Sequence, residues 1–172
     1  MKKFILTAAC LSMMTSVAFA ENAIPENAVE YNGHTYCLID DVSLDWESAK
    51  VHCEKLGGHL ATVTSAEEEN FLKNLIGEKG TKNSYWLGGY ADKIGMWHWV
   101  TGEKFSYTHW GAGQPDNYLG MEDVLMMYRK PNPLNPSSSQ LGDWNDLRRD
   151  GTCNREAFFG TENLGLICEW DK

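Results

Sequence analysis

Apolar positions in the first third of the chain follow two different periods. A β-favouring run from His34 to Asp40, bounded by polar residues, predicts an edge or terminal strand. From Trp46 to Leu56 the apolar residues recur at helical spacing, which predicts a first helix. Its expected N-cap is either Ser43 or Asp45, and the glycine pair that begins at Gly57 marks its expected end.

A second helix is predicted by a capping box. Ser65 precedes Glu68 by three residues, a spacing at which the serine side chain caps the start of a helix. An apolar stripe follows and ends at Gly77, where we expect the helix to end. The apolar segment from Leu60 to Val63 joins the two predicted helices.

Beyond Lys82 the chain becomes aromatic, rich in glycine and rich in turn residues. Short strands are predicted at Tyr85–Leu87, Trp97–Val100, Asp123–Tyr128 and Leu164–Trp170. The stretch from Arg129 to Gln140 holds three prolines and three serines, and we expect a loop there. Helices early and strands late in one domain predict an α+β fold.

The first twenty residues have the layout of a secretory signal peptide. Two lysines precede an apolar run from Phe4 to Leu11, and small residues lead to a cleavage point after Ala20. The alternative of a membrane span is disfavoured because the run is far shorter than the roughly 20 apolar residues that cross a bilayer. We therefore expect an exported bacterial protein, periplasmic or extracellular, with a flexible lead-in at residues 21–30 and one domain at residues 31–172.

Charge and cysteine content narrow the class of protein. The chain carries 24 acidic and 15 basic residues, a formal net charge of −9, which disfavours nucleic acid as a partner. The same acidity suits a cation site, but a solvated acidic surface explains it equally well. Four cysteines follow the signal, namely Cys37, Cys53, Cys153 and Cys168, and in an exported chain an even number indicates disulfides. Their spacing leaves all three connectivities open.

Side-chain oxygens are concentrated between residues 114 and 146. The donors are Gln114, Asp116, Asn117, Glu122, Asp123, Asp143, Asn145 and Asp146. Hard oxygen donors without sulfur or a histidine cluster are the ligands that Ca²⁺ prefers. Each of them, taken singly, is also an ordinary turn residue, so the arrangement has to carry the interpretation.

That arrangement resembles the sugar-binding site of C-type lectins. Its parts are Gln114-Pro115-Asp116, Glu122-Asp123 and Trp144-Asn145-Asp146. The resemblance extends over nearly the whole mature domain. Its other motifs are GGHLATVTSAEE at residues 57–68, WLGG at 86–89, WHWVTG at 97–102 and ICEW at 167–170.

The resemblance implies a double-loop α+β domain with two helices, small antiparallel sheets and a long calcium-binding loop region. It implies that Ca²⁺ is held by Gln114, Asp116, Glu122, Asn145 and Asp146, with a cis peptide bond before Pro115. Two sugar hydroxyls would complete the ion's shell while each also hydrogen-bonds a ligand side chain. Sugar binding would then depend on calcium.

Sugar preference is implied by the same motif. In the family, Gln-Pro-Asp accompanies galactose-type sugars and Glu-Pro-Asn accompanies mannose-type sugars, so we expect a galactose or N-acetylgalactosamine glycan as the partner. The implied sugar-binding residues are Gln114, Asp116, Tyr118, Glu122 and Asn145. The ring of Tyr118 would pack on the apolar face of the sugar, although a tyrosine that only covers the loop is an equal alternative.

The cysteines depart from the family's pattern. Cys53 with Cys168 resembles its core disulfide, whereas Cys37 and Cys153 stay unassigned. Cys37 resembles a cysteine whose partner lies about ten residues upstream, where this chain has none. Val124 stands where most relatives have the cysteine after the Glu-Asp pair. The segments 129–141 and 147–163 are also longer than usual in the family. The resemblance therefore does not predict which residues form the edge of the site.

Two other interpretations compete with a lectin. A protein-binding or adhesion module could keep the fold and use calcium only to stabilise loops. An enzyme is disfavoured because no catalytic motif is present and carboxylates that hold calcium serve poorly as acid and base. We expect the residues Trp86, Trp97, Trp99, Trp144 and Trp170 to be core packing. His98 and His109 are expected to be ordinary polar positions.

Overall fold

The computed structural model describes residues 24–153 and 158–172, which form two helices and eight strands. The predicted signal peptide, residues 1–20, lies outside the described residues. The strands are β1 (Val29–Tyr31), β2 (His34–Ile39), β3 (His59–Leu60), β4 (Ser84–Ala91), β5 (Trp97–Trp99), β6 (Val124–Tyr128), β7 (Trp144–Leu147) and β8 (Leu164–Trp170). The helices are α1 (Trp46–Lys55) and α2 (Ala66–Lys79). The α+β class with two early helices is confirmed.

The strands form one sheet within the described residues, in the order β1-β2-β8-β4-β6-β7, with β3 paired to β8 and β5 to β4. Every pairing is antiparallel except that of β4 with β8. The sheet is therefore mixed, where purely antiparallel sheets were expected. The parallel pair arises because the long loop region returns the chain to the start of β4, where the Asn83 amide donates to the Asn163 carbonyl at 2.9 Å.

Helix α1 begins and ends where its sequence pattern predicts. The Asp45 carboxylate accepts a hydrogen bond from the Ser48 amide at 2.7 Å, so Asp45 rather than Ser43 is the N-cap. Ala49 and Cys53 are fully buried on the face that packs on the sheet. Gly57, with φ +80°, follows the last turn in the left-handed conformation that glycine adopts without strain.

Helix α2 starts as predicted but runs further. The Ser65 hydroxyl accepts from the Glu68 amide at 3.2 Å, and the Glu68 carboxylate accepts from the Thr64 amide at 2.8 Å. The predicted end at Gly77 is wrong, because the helix continues to Lys79. A glycine inside a helix costs only about 1 kcal/mol relative to alanine, less than the burial of the preceding Ile76 contributes.

The N-terminal edge of the sheet also differs from the prediction. β2 is an interior strand, because it pairs with β8 on one side and with β1 on the other. The true edge is β1, which begins at Val29, inside the segment expected to be a flexible lead-in. Three residues are too few to show an alternating pattern, so this strand has no sequence signature.

Large aromatic side chains fill the space between the helices and the sheet. Trp86, Trp144 and Trp99 are at most 1 % exposed, and Trp170 is 5 % exposed. Trp97 is partly buried and packs against Trp110, with 4.8 Å between ring centroids. These tryptophans are core residues, as predicted. Neither helix of the described part of the chain has the length and apolar character that a bilayer span needs.

Candidate metal and ligand site

The site begins at the loop that precedes β6. The Gln114–Pro115 peptide bond is cis, as the resemblance implied. The Gln114 amide oxygen accepts a hydrogen bond from the Asp116 main-chain amide at 3.1 Å. Gln114 and Asp116 therefore form one short, internally bonded turn at the protein surface.

Asp146 connects this turn to β7. One of its carboxylate oxygens accepts from the Asp116 amide at 3.1 Å, and the other accepts from the Asn117 amide at 2.7 Å. Asp146 is fully buried and is fixed by the strand that carries it. This carboxylate anchors the turn to the sheet, in addition to the hydrogen bond that the Gly111 amide donates to the Trp144 carbonyl at 2.9 Å.

Three carboxylates converge beneath the loop. Oxygens of Asp116, Glu122 and Asp146 all lie within 4.8 Å of one another. Burial, then the nearby charges of Asp146 and Asp116, raises the pKa of Glu122 to about 8. Burial likewise raises the pKa of Asp146. Asp116 is exposed, whereas Glu122 and Asp146 are buried, poorly solvated and close enough to repel each other. A hard divalent cation would stabilise this set of oxygens, so the three residues fit Ca²⁺.

Asn145 adds an amide to the same cluster. Its side chain is 6 % exposed, and its amide nitrogen donates to the main-chain oxygen of Asp146. With the nitrogen engaged, the amide oxygen is the atom left to act as a ligand. The Asp146 carbonyl keeps a second lone pair, because a carbonyl oxygen accepts two bonds.

The five residues named for sugar binding line one cavity of about 270 Å³. They are Gln114, Asp116, Tyr118, Glu122 and Asn145. The side chain of Tyr118 lines the cavity, while the residue stays 41 % exposed to solvent. Asp146 is not among the lining residues and lies below them, behind the loop it anchors.

Part of the lining had no sequence prediction. Asn132, Asn135, Ser139 and Phe159 face the same cavity. The first three belong to the long segment predicted to be a loop, so the extra length of this segment builds one side of the site. Its proline and serine content indicated a loop, but composition does not tell which way a loop folds.

Two acidic residues of the oxygen-rich stretch serve other purposes. Asp123 accepts from the Arg149 guanidinium at 2.9 Å, and Arg149 also pairs with Glu47 of α1. Asp143 accepts from the Gln140 amide at 2.8 Å and stabilises the turn before β7. Of the Glu-Asp pair, only Glu122 faces the site.

The histidines at 98 and 109 each lie near one carboxylate. His98 lies 3.0 Å from an Asp92 oxygen, and His109 lies 3.8 Å from an Asp143 oxygen. Neither belongs to a group of potential metal ligands among the described residues.

Three of the four cysteines lie close together where helix α1 packs on strands β2 and β8. Cys53 and Cys168 are fully buried, and a hydrogen bond to Cys168 is the main cause that raises the pKa of the Cys53 thiol. Cys37 lies directly opposite Cys168 in the strand register and donates to Asn27, the residue ten positions upstream, at 3.5 Å. Cys153 instead lines the cavity with Phe159. The Cys53–Cys168 bridge stays a prediction, with both thiols side by side.

Comparison with known families agrees with this geometry. The family model described as lectin C-type domain matches residues 42–158. The chain belongs to the C-type lectin domain family. Members of this family bind carbohydrates and are not enzymes, which supports the prediction of a non-enzymatic protein.

Individual relatives come from animals. The galactose-specific lectin nattectin of Thalassophryne nattereri is 43 % identical over 82 residues, which cover 46 % of this chain and 52 % of nattectin. Lithostathine of Rattus norvegicus is 31 % identical over 127 residues, covering 67 % of this chain and 76 % of the relative. The alignments with nattectin and with ladderlectin of Oncorhynchus mykiss span only about half of each relative, 52 % and 56 %.

Solved structures share the fold. The carbohydrate-recognition domain of cow CD23, a structure determined with an oligosaccharide present, is 25 % identical with a TM-score of 0.65. The match covers 88 % of this chain and 98 % of that domain. A calcium-independent type II antifreeze protein is 21 % identical with a TM-score of 0.64, so the same fold also occurs without calcium dependence.

Proposed function

We propose that the chain is a calcium-dependent lectin that binds galactose-type sugars in the cavity next to the Gln114–Pro115 turn. The observation that carries this proposal is the convergence of Asp116, Glu122 and Asp146 within 4.8 Å, at the base of the cavity lined by Gln114 and Asn145. The similarity to nattectin, a galactose-specific lectin, adds support for the sugar class.

The proposed ligand set is Gln114, Asp116, Glu122, Asn145 and Asp146. A bound Ca²⁺ would supply open coordination positions for two neighbouring sugar hydroxyls. The chain's own side chains would orient those hydroxyls, since the Gln114 amide donates while the Asp116 carboxylate only accepts. Tyr118, at the mouth of the cavity, would cover the apolar face of the sugar.

Export and a disulfide belong to the same proposal. The first twenty residues would direct the chain to the periplasm or exterior of a bacterial cell, and the lectin domain would function there. An oxidising compartment would allow Cys53 and Cys168, already in contact, to form the core disulfide.

A glycan array tests the sugar proposal. The mature chain should bind terminal galactose or N-acetylgalactosamine at millimolar calcium and lose this binding when a chelator is added. The matched variant Glu122→Gln keeps the shape of one ligand but removes its charge, so it should bind less sugar at the same calcium concentration. Sugar binding that persists in chelator would refute calcium dependence.

A second function is favoured by the surface around the cavity. Leu119, Met121 and Leu134 are 60 %, 49 % and 72 % exposed, and all three lie in the segments that border the cavity. Contiguous exposed apolar surface next to a binding site is typical of protein-binding surfaces, and these three side chains are the candidates to form it. If no sugar binds with or without calcium, a protein-binding module with loops stabilised by calcium becomes the better interpretation.

A further inference from the structure

Two histidines and two carboxylates gather on one face of the strands β2, β8 and β3. In the register of the sheet, Glu169 of β8 lies opposite Tyr36 of β2 and opposite His59 of β3. Asp171 shares a face with Glu169, because alternate residues along an extended chain point the same way. His34, two residues before Tyr36, therefore lies beside Asp171. None of these side chains lines the sugar cavity.

His34 faces two carboxylates with one nitrogen. Its Nδ1 atom lies 2.9 Å from an Asp171 oxygen and 2.9 Å from a Glu169 oxygen. A ring nitrogen carries at most one hydrogen, so it can make a well-aligned hydrogen bond to only one of the two acceptors. A metal ion, in contrast, can be shared by all three groups.

The ring of His59 has a fixed orientation. Its Nδ1 atom lies 3.0 Å from the Leu60 carbonyl oxygen, which only accepts, so Nδ1 must carry the hydrogen of the neutral ring. The other nitrogen, Nε2, is then a bare lone pair. Within the described part of the chain it is buried without a hydrogen-bond partner, 3.4 Å from an Asp171 oxygen. A histidine that ligates a metal characteristically donates its other N–H to a backbone carbonyl in this way.

We propose that His34, His59, Glu169 and Asp171 bind one divalent transition-metal ion of the zinc class. Imidazole and carboxylate ligands at about 2.0 to 2.2 Å from a tetrahedral Zn²⁺ lie roughly 3.3 Å from one another. The two contacts of His34, at 2.9 Å from Glu169 and from Asp171, need to lengthen by only a few tenths of an ångström, and the ligand atoms of these three residues already lie within 4.8 Å of one another. His59 lies outside that group, so its Nε2 atom, 3.4 Å from the other Asp171 oxygen, would have to move closer to His34 and Glu169 when the ion binds. The side chain of Asp171 is exposed after the last residue of β8, so it has room to adjust.

The electrostatic environment favours a cation. Glu169 is 1 % exposed, and a buried carboxylate needs a compensating charge or several hydrogen bonds. It accepts from the Thr62 amide at 2.8 Å. The Tyr36 hydroxyl has one hydrogen and lies 2.6 Å from a second buried acid, Glu68, but 3.2 Å from Glu169, so it donates to Glu68 in preference to Glu169. Two imidazole nitrogens among the donors select zinc, copper or nickel over calcium, which takes oxygen ligands.

Such an ion would join three parts of the fold. His34 is the first residue of β2, His59 is the first of β3, and Asp171 follows the last residue of β8. The site would tie the C-terminal residues to two strands that precede them by more than a hundred positions. This role is independent of the proposed calcium ion, which uses no residue of this cluster.

Isothermal titration of Zn²⁺ into the tag-free mature chain tests the proposal. Saturating Ca²⁺ should be present throughout, so that the calcium site does not compete. We expect one Zn²⁺ per chain. Asp171→Asn and His59→Gln should each weaken binding by at least about tenfold, since even outer partners of metal ligands affect affinity by 10- to 100-fold. His98→Gln is the matched control, because His98 contacts the single carboxylate of Asp92, and it should bind like the wild type.

Two readouts keep the test decisive. Asp171 is exposed, so Asp171→Asn should fold normally, and an unchanged melting temperature in chelator checks this. Cobalt substitution should give the visible spectrum of a four-coordinate ion without a thiolate charge-transfer band in the near ultraviolet. Absence of Zn²⁺ binding, equal affinity in all variants, or a thiolate band would each overturn the proposal and leave the cluster as a hydrogen-bonded network.

Discussion

The indole nitrogen of Trp144 donates a hydrogen bond of 2.8 Å to the Glu69 carboxylate, so helix α2 is joined to the strand that carries Asn145 and Asp146. Both partners are almost completely buried, Trp144 at 0 % and Glu69 at 2 % exposure. The second oxygen of Glu69 is buried without a hydrogen-bond partner among the described residues. This side chain therefore supports the site at an electrostatic cost.

The first prediction is that Glu69→Gln stabilises the protein at alkaline pH. Burial raises the pKa of Glu69 from 4.5 to about 8, despite the opposing effects of the Trp144 hydrogen bond and Lys73. Between these values the folded chain binds a proton that the unfolded chain has lost, so stability falls as the pH rises. The substituted amide would still accept from Trp144 but carries no charge to bury.

Thermal unfolding at pH 5 and pH 8 measures this effect. At pH 8 we expect the free energy of unfolding of the variant to exceed that of the wild type by on the order of 1 to 3 kcal/mol, which raises the melting temperature by several degrees. At pH 5 the two proteins should be almost equally stable. Glu67→Gln, an exposed neighbour on the same helix, is the control and should change little at either pH. If the difference in stability between Glu69→Gln and the wild type is the same at both pH values, the raised pKa of Glu69 is contradicted.

A second prediction concerns the calcium ligands. Isothermal titration should detect one Ca²⁺ per chain in the range of roughly 10⁻⁴ to 10⁻³ M that is typical of extracellular modules. Asn145→Ala combined with Asp146→Ala should abolish this binding, and Glu122→Gln should weaken it without altering the loop anchor. Asp123→Asn is the control, because that carboxylate pairs with Arg149 outside the site. Unchanged affinity in the double variant would rule the site out.

A third prediction is that Gln114 and Asp116 determine sugar preference. The double exchange Gln114→Glu with Asp116→Asn keeps the total charge, so calcium should stay bound, while the donor and acceptor presented to the hydroxyls are reversed. A mismatched hydroxyl costs on the order of 1 to 3 kcal/mol of binding free energy. This is enough to reverse a preference for galactose over mannose at an open site.

Competition binding with both sugars at saturating calcium provides the measurement. The variant Tyr118→Ala should be prepared with and without the exchange, since a ring that packs under galactose can obstruct mannose. Unchanged selectivity in both backgrounds, with calcium still bound, would show that these two residues do not read the sugar.

The fourth prediction is a disulfide between Cys53 and Cys168. Non-reducing peptide mapping of the exported chain should recover this pair, and its reduction should lower stability by roughly 2 to 5 kcal/mol. Cys153→Ser should leave the bridge intact. Because Cys37 lies opposite Cys168 on the neighbouring strand, recovery of Cys168 linked to Cys37 is the outcome that would refute the assignment most directly.

The sequence predicts those elements whose local chemistry is decisive. Caps at Asp45 and Ser65 locate both helices, and the apolar run from Leu164 to Trp170 coincides with β8 because all of its residues are buried. The strand β7 has no prediction of its own. Its residues Asn145 and Asp146 are typical of turns, and only pairing with β6 makes them extended.

The two clusters of candidate ligands differ in the same way, because only one of them could be predicted from the sequence. The residues around Asp116 and Glu122 are close in sequence and match a known motif, so their meeting could be predicted. His34 and Asp171 are 137 positions apart, and no local pattern relates them. Their contact follows from the register of β2 with β8, which only the folded sheet determines.

The two carboxylate oxygens of Asp146 hold the amides of Asp116 and Asn117. Each oxygen retains a lone pair for a ligand, so a single side chain shapes the loop and would also face the proposed ion. A related protein that does not bind sugar would still need this aspartate to keep its loop in place. An aspartate at this position is therefore poor evidence of lectin activity in a related sequence. Gln114 and Glu122 are more informative, because their side-chain oxygens accept main-chain hydrogen bonds only within the loop and do not attach it to the sheet.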